Sequence, residues 1–306
     1  MLPIHFAPLQ GYTEDYYRRA HHALCPGVAC YYTPFMRIEH GGVRSKDLRD
    51  AKPANNQGVP VVPQLIVRDA QELNELLSVV RPMAYTRIDI NMGCPFTLQT
   101  RHGRGAGLLT KPDEVRAICA ALRASSDIRF SVKMRLGLES KEEWCEILPI
   151  LNDTPLSHIT LHPRVASQGY KGETDLEAFA AFANACHHPL VYNGDITRLE
   201  QIQQLESDFP HLHGVMIGRG LLARPVLAEE YLGGGALPER EVILRIKALH
   251  GLLLDAYRRV IPGESQQLLK IRTFWDYLEP TIGRKPWKKI HKAGSMRNYL
   301  AAVEEL

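Results

Sequence analysis

Six cysteines are present, but no two are spaced as C-x-x-C. That argues against a disulfide framework and against structural zinc, so reduced thiols in a cytoplasmic setting, and no metal, are expected. The N-terminal MLPIHFAP has no basic segment followed by a long apolar run, so no signal peptide is expected. No stretch approaches the ~20 apolar residues that cross a bilayer, and no membrane association is expected. Low-complexity segments and short repeats are also missing, as is a G-x-G-x-x-G after the first strand-like run. The net charge of +3 says little about partners. Its distribution says more: from Leu232 onward there are 13 Lys/Arg against 8 Asp/Glu, and before it 24 against 26.

What is there is globular material, 45% hydrophobic and 23% charged over 306 residues. Eight short β-prone runs recur, at 4–8, 29–34, 59–66, 87–92, 129–135, 158–163, 189–194 and 214–219. Between them lie segments with helical apolar spacing, such as 69–80, 111–124 and 197–209. This alternation predicts an α/β fold, a TIM (β/α)8 barrel, with a doubly wound open sheet as the weaker alternative. A turn-prone GGGALPE at 233–239 interrupts the period, and the chain then reads as helix to its end. The expected organisation is a barrel over 1–235 and a small all-helical domain over 236–306.

Barrel active sites sit at the C-terminal ends of the strands. Those ends are polar here: Pro8-Leu9-Gln10, Gln64, Asn91-Met92-Gly93-Cys94, Lys133 and Arg135, His162-Pro163-Arg164, Asn193-Gly194-Asp195 and Gly218-Arg219-Gly220. The last two loops fit a phosphate site of backbone amides plus Arg219. The alternative is that their glycines only permit tight turns.

FAPLQGYTEDYYRR, DINMGCP, GRGAGLL, VKMRLG, HPRVASQGYKG, NGDI and GVMIGRG occur in an order and spacing that resembles the tRNA-dihydrouridine synthases. The resemblance covers residues 6 to about 225 and, more loosely, the tail. It implies an enzyme that reduces the C5–C6 bond of a tRNA uridine with FMN, the flavin being re-reduced by NADPH. Carried across, Gln64 and Lys133 would meet the flavin ring, Pro8 and Leu9 would lie against it, and His162 would touch its ribityl side. Asn193, Gly194, Asp195, Gly218 and Arg219 would hold ribityl and phosphate. Cys94 would protonate C5 while hydride reaches C6, a role open to a thiol that stays protonated at neutral pH. Leu9, Glu14, Pro34, Pro163, Val165 and Leu176 stand where the family pattern usually has other residues, which leaves the subfamily open.

A stacked base cannot reach a barrel mouth, so the target must be extruded, and contacts elsewhere must offset that cost. Residues 283–297 carry Arg284, Lys285, Lys288, Lys289 and Lys292 around Trp287, a pattern suited to a phosphate backbone. Lys270 and Arg272 upstream, and Asn91 and Arg164 at the strand ends, complete the expected RNA contacts. Arg101, His102 and Arg104 read equally as phosphate contacts or a mobile basic loop. A monomer is expected. Two alternatives remain: a flavin barrel reducing a free pyrimidine or enone, and a barrel that binds RNA without catalysis.

Overall fold

The computed structural model describes all 306 residues. Eleven strands form: β1 (Ile4–Phe6), β2 (Val28–Tyr32), β3 (Ile38–Glu39), β4 (Gly42–Val43), β5 (Val61–Val62), β6 (Gln64–Leu65), β7 (Arg87–Met92), β8 (Arg129–Gly137), β9 (Leu156–Val165), β10 (Leu190–Asn193) and β11 (Gly214–Ile217). Nine of them make one parallel sheet in the order β5-β2-β1-β11-β10-β9-β8-β7-β6. Its two ends, β5 and β6, are halves of one strand interrupted at Pro63. Proline has no amide to give the ladder. The backbone still bridges the break, through Thr33 N–H to the Val62 carbonyl at 3.0 Å and Asp89 N–H to the Pro63 carbonyl at 2.9 Å. The sheet therefore closes on itself as an eight-stranded TIM barrel. β3 and β4 form a separate antiparallel hairpin. Its turn is His40-Gly41, both at positive φ, as a two-residue hairpin loop prefers.

The helices cover the barrel because each presents one apolar face. Ala70–Val80 buries Leu73, Leu76, Leu77 and Val80, and Asp69 caps it by accepting from the Glu72 amide at 2.8 Å. Beyond a short connection at Gly234–Pro238, Glu239–Val260 repeats that logic with Val242, Ile246, Leu249 and Leu253. It packs against the helix Asp15–Leu24 of the barrel. One apolar cluster runs from the barrel's outer shell into the tail, where the buried Trp275 donates to Tyr299 Oη at 2.7 Å. The tail is less uniform than its sequence suggests. A 3₁₀ turn at Thr273–Trp275 ends one helix, and Ser295 opens a new one, separating Arg284–Lys292 from Met296–Glu304. No helix is long and apolar enough to cross a membrane, and no three His, Cys, Asp or Glu side chains cluster as metal ligands would.

Candidate active site

A cavity of about 1200 Å³ opens at the C-terminal ends of the strands. Pro8, Leu9, Gln64, Asn91, Cys94, Lys133, His162, Asn193, Gly194, Asp195, Gly218 and Arg219 all line it. Strand register explains the grouping. Gln64 on β6 sits beside Asp89 on β7, Asp89 beside Ser131 on β8, and Asn91 beside Lys133. Residues two apart on a strand share a face, so these side chains point together into the barrel.

Asp89 is fully buried. It accepts from Ser131 Oγ at 2.5 Å and from Gln64 Nε2 at 2.7 Å. Gln64 Oε1 accepts from Asn91 Nδ2 at 2.8 Å, and Asn91 Oδ1 accepts from the amides of Gly93 at 3.1 Å and Cys94 at 2.8 Å. The turn that presents Cys94 is thus anchored below. It is also anchored above, where Ala106 N–H donates to the Cys94 carbonyl at 3.1 Å. Gly105, at φ +59°, lies so close that a Cβ there would come within 2.9 Å of Cys94 Cβ. The GRGAGLL segment is the clamp on this cysteine.

Burial raises the Cys94 thiol above its ordinary pKa, against the pull of the Phe96 amide and of Arg135, Lys133 and Arg37. The thiol therefore keeps its proton at neutral pH. Burial and the neighbouring Arg135 push Lys133 down to about 8. Its Nζ has no hydrogen-bond or ion-pair partner in the protein. Burial lifts Asp89 to about 7, although Ser131, Gln64 and Lys133 favour its charged form. His162 is held well below its usual value by burial and by Arg135, Lys133, Arg164 and Arg219. It is neutral, and because a guanidinium only donates, Arg164 Nη1 at 3.1 Å makes Nε2 the acceptor and leaves the hydrogen on Nδ1.

At the other end of the cavity, the backbone amides of Gly194, Asp195 and Gly218 have no acceptor in the chain. Arg219 follows Gly218 and lines the same cavity, and its guanidinium sits 4.2 Å from the centre of the Tyr170 ring. The glycines themselves are explained by the protein: a Cβ at Gly194 would lie 2.6 Å from Thr174 Cγ2, and one at Gly220 would lie 1.9 Å from the Ile196 carbonyl. Tight packing accounts for both, so the case for an anion rests on the free amides and Arg219. Burial pushes Asp195 up, but Arg164 and Arg219 outweigh it and hold its carboxyl below the usual range. A free ammonium at one end and free amides with an arginine at the other suit a planar, electron-rich ligand ending in a phosphate.

Several expectations are redirected. Arg164 is 1% exposed and does not line the cavity; it bonds His162, Asp195 and, at 2.6 Å, the Gly172 carbonyl. Arg104 is buried in an ion pair with Glu72, which removes it from either a phosphate contact or a mobile loop, while Arg101 and His102 are exposed. Lys270 pairs with Glu14 at 2.9 Å, and Arg272 donates to the Ala293 carbonyl at 2.6 Å. Trp287 is half-buried and donates to the Trp275 carbonyl at 2.8 Å. Arg284, Lys285, Lys288, Lys289 and Lys292 are exposed, and Lys289 alone of these pairs with an acid, Glu305. The sequence reading missed Tyr170, Tyr277 and Pro280 in the cavity wall, the last two supplied by the tail. Phe96 and Leu98, just after Cys94, stand exposed at the same mouth.

The family profile described as "Dihydrouridine synthase (Dus)" matches residues 5–277. The chain is 32% identical over 232 residues to a "Probable tRNA-dihydrouridine synthase" of Rhodobacter capsulatus, covering 73% of this chain and 68% of that protein. It is 26% identical over 288 residues to a "tRNA-dihydrouridine(16) synthase" of Aquipseudomonas alcaligenes, covering 89% and 90%. Among solved structures, morphinone reductase in complex with tetrahydroNAD superposes with a TM-score of 0.54 at 11% identity, over 77% of this chain and 87% of that one. At that identity the likeness speaks to the fold alone.

Proposed function

The chain belongs to the dihydrouridine synthase family, and from that premise we propose that it reduces the C5–C6 double bond of a uridine in tRNA, with Cys94 as the proton donor. The observation that carries the reading is the protonated Cys94 thiol on its clamped turn, in one cavity with the unpaired Lys133. FMN, when bound, supplies the hydride that reaches C6, and NADPH restores it. The residues fit that group: Lys133 offers a cation to an electron-rich ring edge, and the free amides of Gly194, Asp195 and Gly218, with Arg219, offer a phosphate seat. Gln64, Pro8, Leu9, His162 and Asn193 line the space between. Cys94 holds its proton on Sγ until C5 accepts it.

The extruded base enters the same mouth, beside Asn91 and the exposed Phe96 and Leu98. The exposed cations of Arg284–Lys292 hold the tRNA backbone, which offsets the cost of unstacking. Residues 236–306 act as the RNA module, although they share the barrel's core and complete its cavity wall. The target we propose is uridine 16, because the match to the Aquipseudomonas alcaligenes protein runs over 89% of this chain. Mapping dihydrouridine in tRNA from cells lacking the gene tests the reading. Loss at position 16 is expected, loss at another position alone moves the target, and an unchanged map overturns the reading.

A further inference from the structure

Asp89 lies below the cavity and lines no part of it, yet hydrogen-bond polarity runs from it to the mouth. The amides of Gly93 and Cys94 can only donate, so Asn91 must turn Oδ1 toward them. Its Nδ2 then faces Gln64, which must answer with Oε1, leaving Gln64 Nε2 to face residue 89. The chain closes only if residue 89 accepts on that side. We propose that Asp89 is the positioning residue that fixes the direction of this relay, and with it which atoms Gln64 and Asn91 show to a ligand. Asn91 Oδ1 accepts twice inside the protein and is filled, while Gln64 Oε1 accepts once. Each amide keeps one N–H, and both residues line the cavity. The ligand atom opposite Asn91 must therefore be an acceptor, such as a carbonyl oxygen of a pyrimidinedione ring. The exocyclic amino group of cytosine would meet a donor instead.

A polarity swap tests this. Asn91→Asp alone sets a carboxylate against Gln64 Oε1. If Gln64 then flips, it sets Oε1 against the Asp89 carboxylate. Measured well above pH 7, where Asp89, lifted to about 7 by burial, is ionised and cannot answer with a proton, two acceptors face each other either way. Tm should then fall by roughly 5 °C, the size expected for a buried unpaired polar contact in a chain of this length. Asp89→Asn with Asn91→Asp reverses both bonds of Gln64 at once and keeps the other bonds of the relay in their direction. Asn at 89 accepts from Ser131 and donates to Gln64, while Asp at 91 accepts from Gln64 and from the turn amides. The double variant should regain most of the lost Tm.

A second cycle leaves Asn91 untouched: Gln64→Glu should destabilise, and Asp89→Asn should rescue it, because both asparagines then donate to the new carboxylate. The proposal is overturned if the single variants are as stable as the parent chain, or if either double variant is no more stable than its worse parent. Should a single variant fail to fold, a folded double variant supports the relay and an unfolded one overturns it.

The ligand half rests on the function proposed above, and a separate readout judges it. The swapped pair shows the cavity a carboxylate in place of an N–H. Uridine reduction should therefore stay at least about tenfold down despite regained stability. Full activity in that variant would overturn the donor role of Asn91 toward the ligand while leaving the relay standing.

Discussion

The barrel mouth and the helix Arg284–Lys292 are both rich in cations, but they use them differently. Around the mouth almost every arginine has an internal partner: Arg164 and Arg219 share Asp195, Arg104 holds Glu72, and Arg135 donates to the Val165 carbonyl at 2.9 Å. On the helix, Arg284, Lys285, Lys288 and Lys292 are exposed and make no ion pair with the protein. A buried guanidinium without a partner would be costly, so burial and pairing go together. An exposed cation needs none and stays available to an anion from outside. Among the cations that line the cavity, Lys133 is the exception, with no partner, as the tail cations have none. Pairing joined to burial, more than charge, separates structural cations from those kept for a ligand: Arg219 pairs with Asp195 but is 36% exposed and still faces the phosphate seat.

The comparison is sharpest where the chemistry is. Cys94→Ala removes the proton donor and leaves the cations alone. Uridine reduction should fall by about 10²–10⁴, the usual worth of a positioned general acid, while bound flavin absorbance and tRNA affinity stay. Normal turnover by this variant would remove Cys94 from the reaction. Next, replacing Arg284, Lys285, Lys288 and Lys292 together with Ala should weaken tRNA binding at least about tenfold. The slope of log affinity against log salt should become shallower by about 3. Neither kcat nor Tm should move. The same variant tests against a small-molecule reductase without cutting the tail, whose Tyr277 and Pro280 belong to the cavity wall.

Arg164→Ala inverts that profile. It should lower stability by about 2 kcal/mol, less than the ~3–5 kcal/mol of breaking a fully buried pair, because Asp195 is 40% exposed and keeps Arg219. Its salt slope for tRNA should match that of the parent chain. A changed slope with an unchanged Tm would return Arg164 to the RNA. Lys133 supplies the pH arm. Its ammonium, pushed down to about 8, is charged below that pH and neutral above it. FMN affinity should therefore fall as pH rises through 8, by up to tenfold per unit. Titration of FMN binding against pH reads it, and Lys133→Met should flatten the curve.

The sequence made the barrel legible because its eight strand runs are short, β-branched and separated by helical periods. The polar strand ends that point into one cavity were legible for the same reason. The interior acid was not singled out, yet a signal existed: Asp89 and Asn91, and Ser131 and Lys133, are polar pairs at alternating positions on neighbouring strands. Gly194 and Gly220 read as a phosphate signature, but the atoms they make room for, Thr174 and the Ile196 carbonyl, lie about 20 residues away in the chain. Arg104 and Arg164 misled for a similar reason, since their partners Glu72 and Asp195 are 32 and 31 residues off. The hairpin of β3 and β4 has two residues per strand, too few to show a period. Tyr277 and Pro280 reach the cavity only through the way the tail docks, which no local pattern encodes.

The smallest effect probes the comparison from inside the helix. Lys289 sits among the four free cations but is tied to Glu305, and both side chains are more than half exposed. An exposed pair of this kind contributes about 0–1 kcal/mol, so Lys289→Ala should leave Tm within about 1 °C. If pairing reserves a cation for the protein, the same variant should change the tRNA salt slope by less than any single neighbour does. Glu305→Ala then becomes informative, because it frees Lys289 without removing it and should strengthen tRNA binding slightly. Equal slopes for Lys289→Ala and Lys288→Ala would mean that the exposed pair opens freely when RNA arrives. Pairing would then mark a structural cation only where it is also buried.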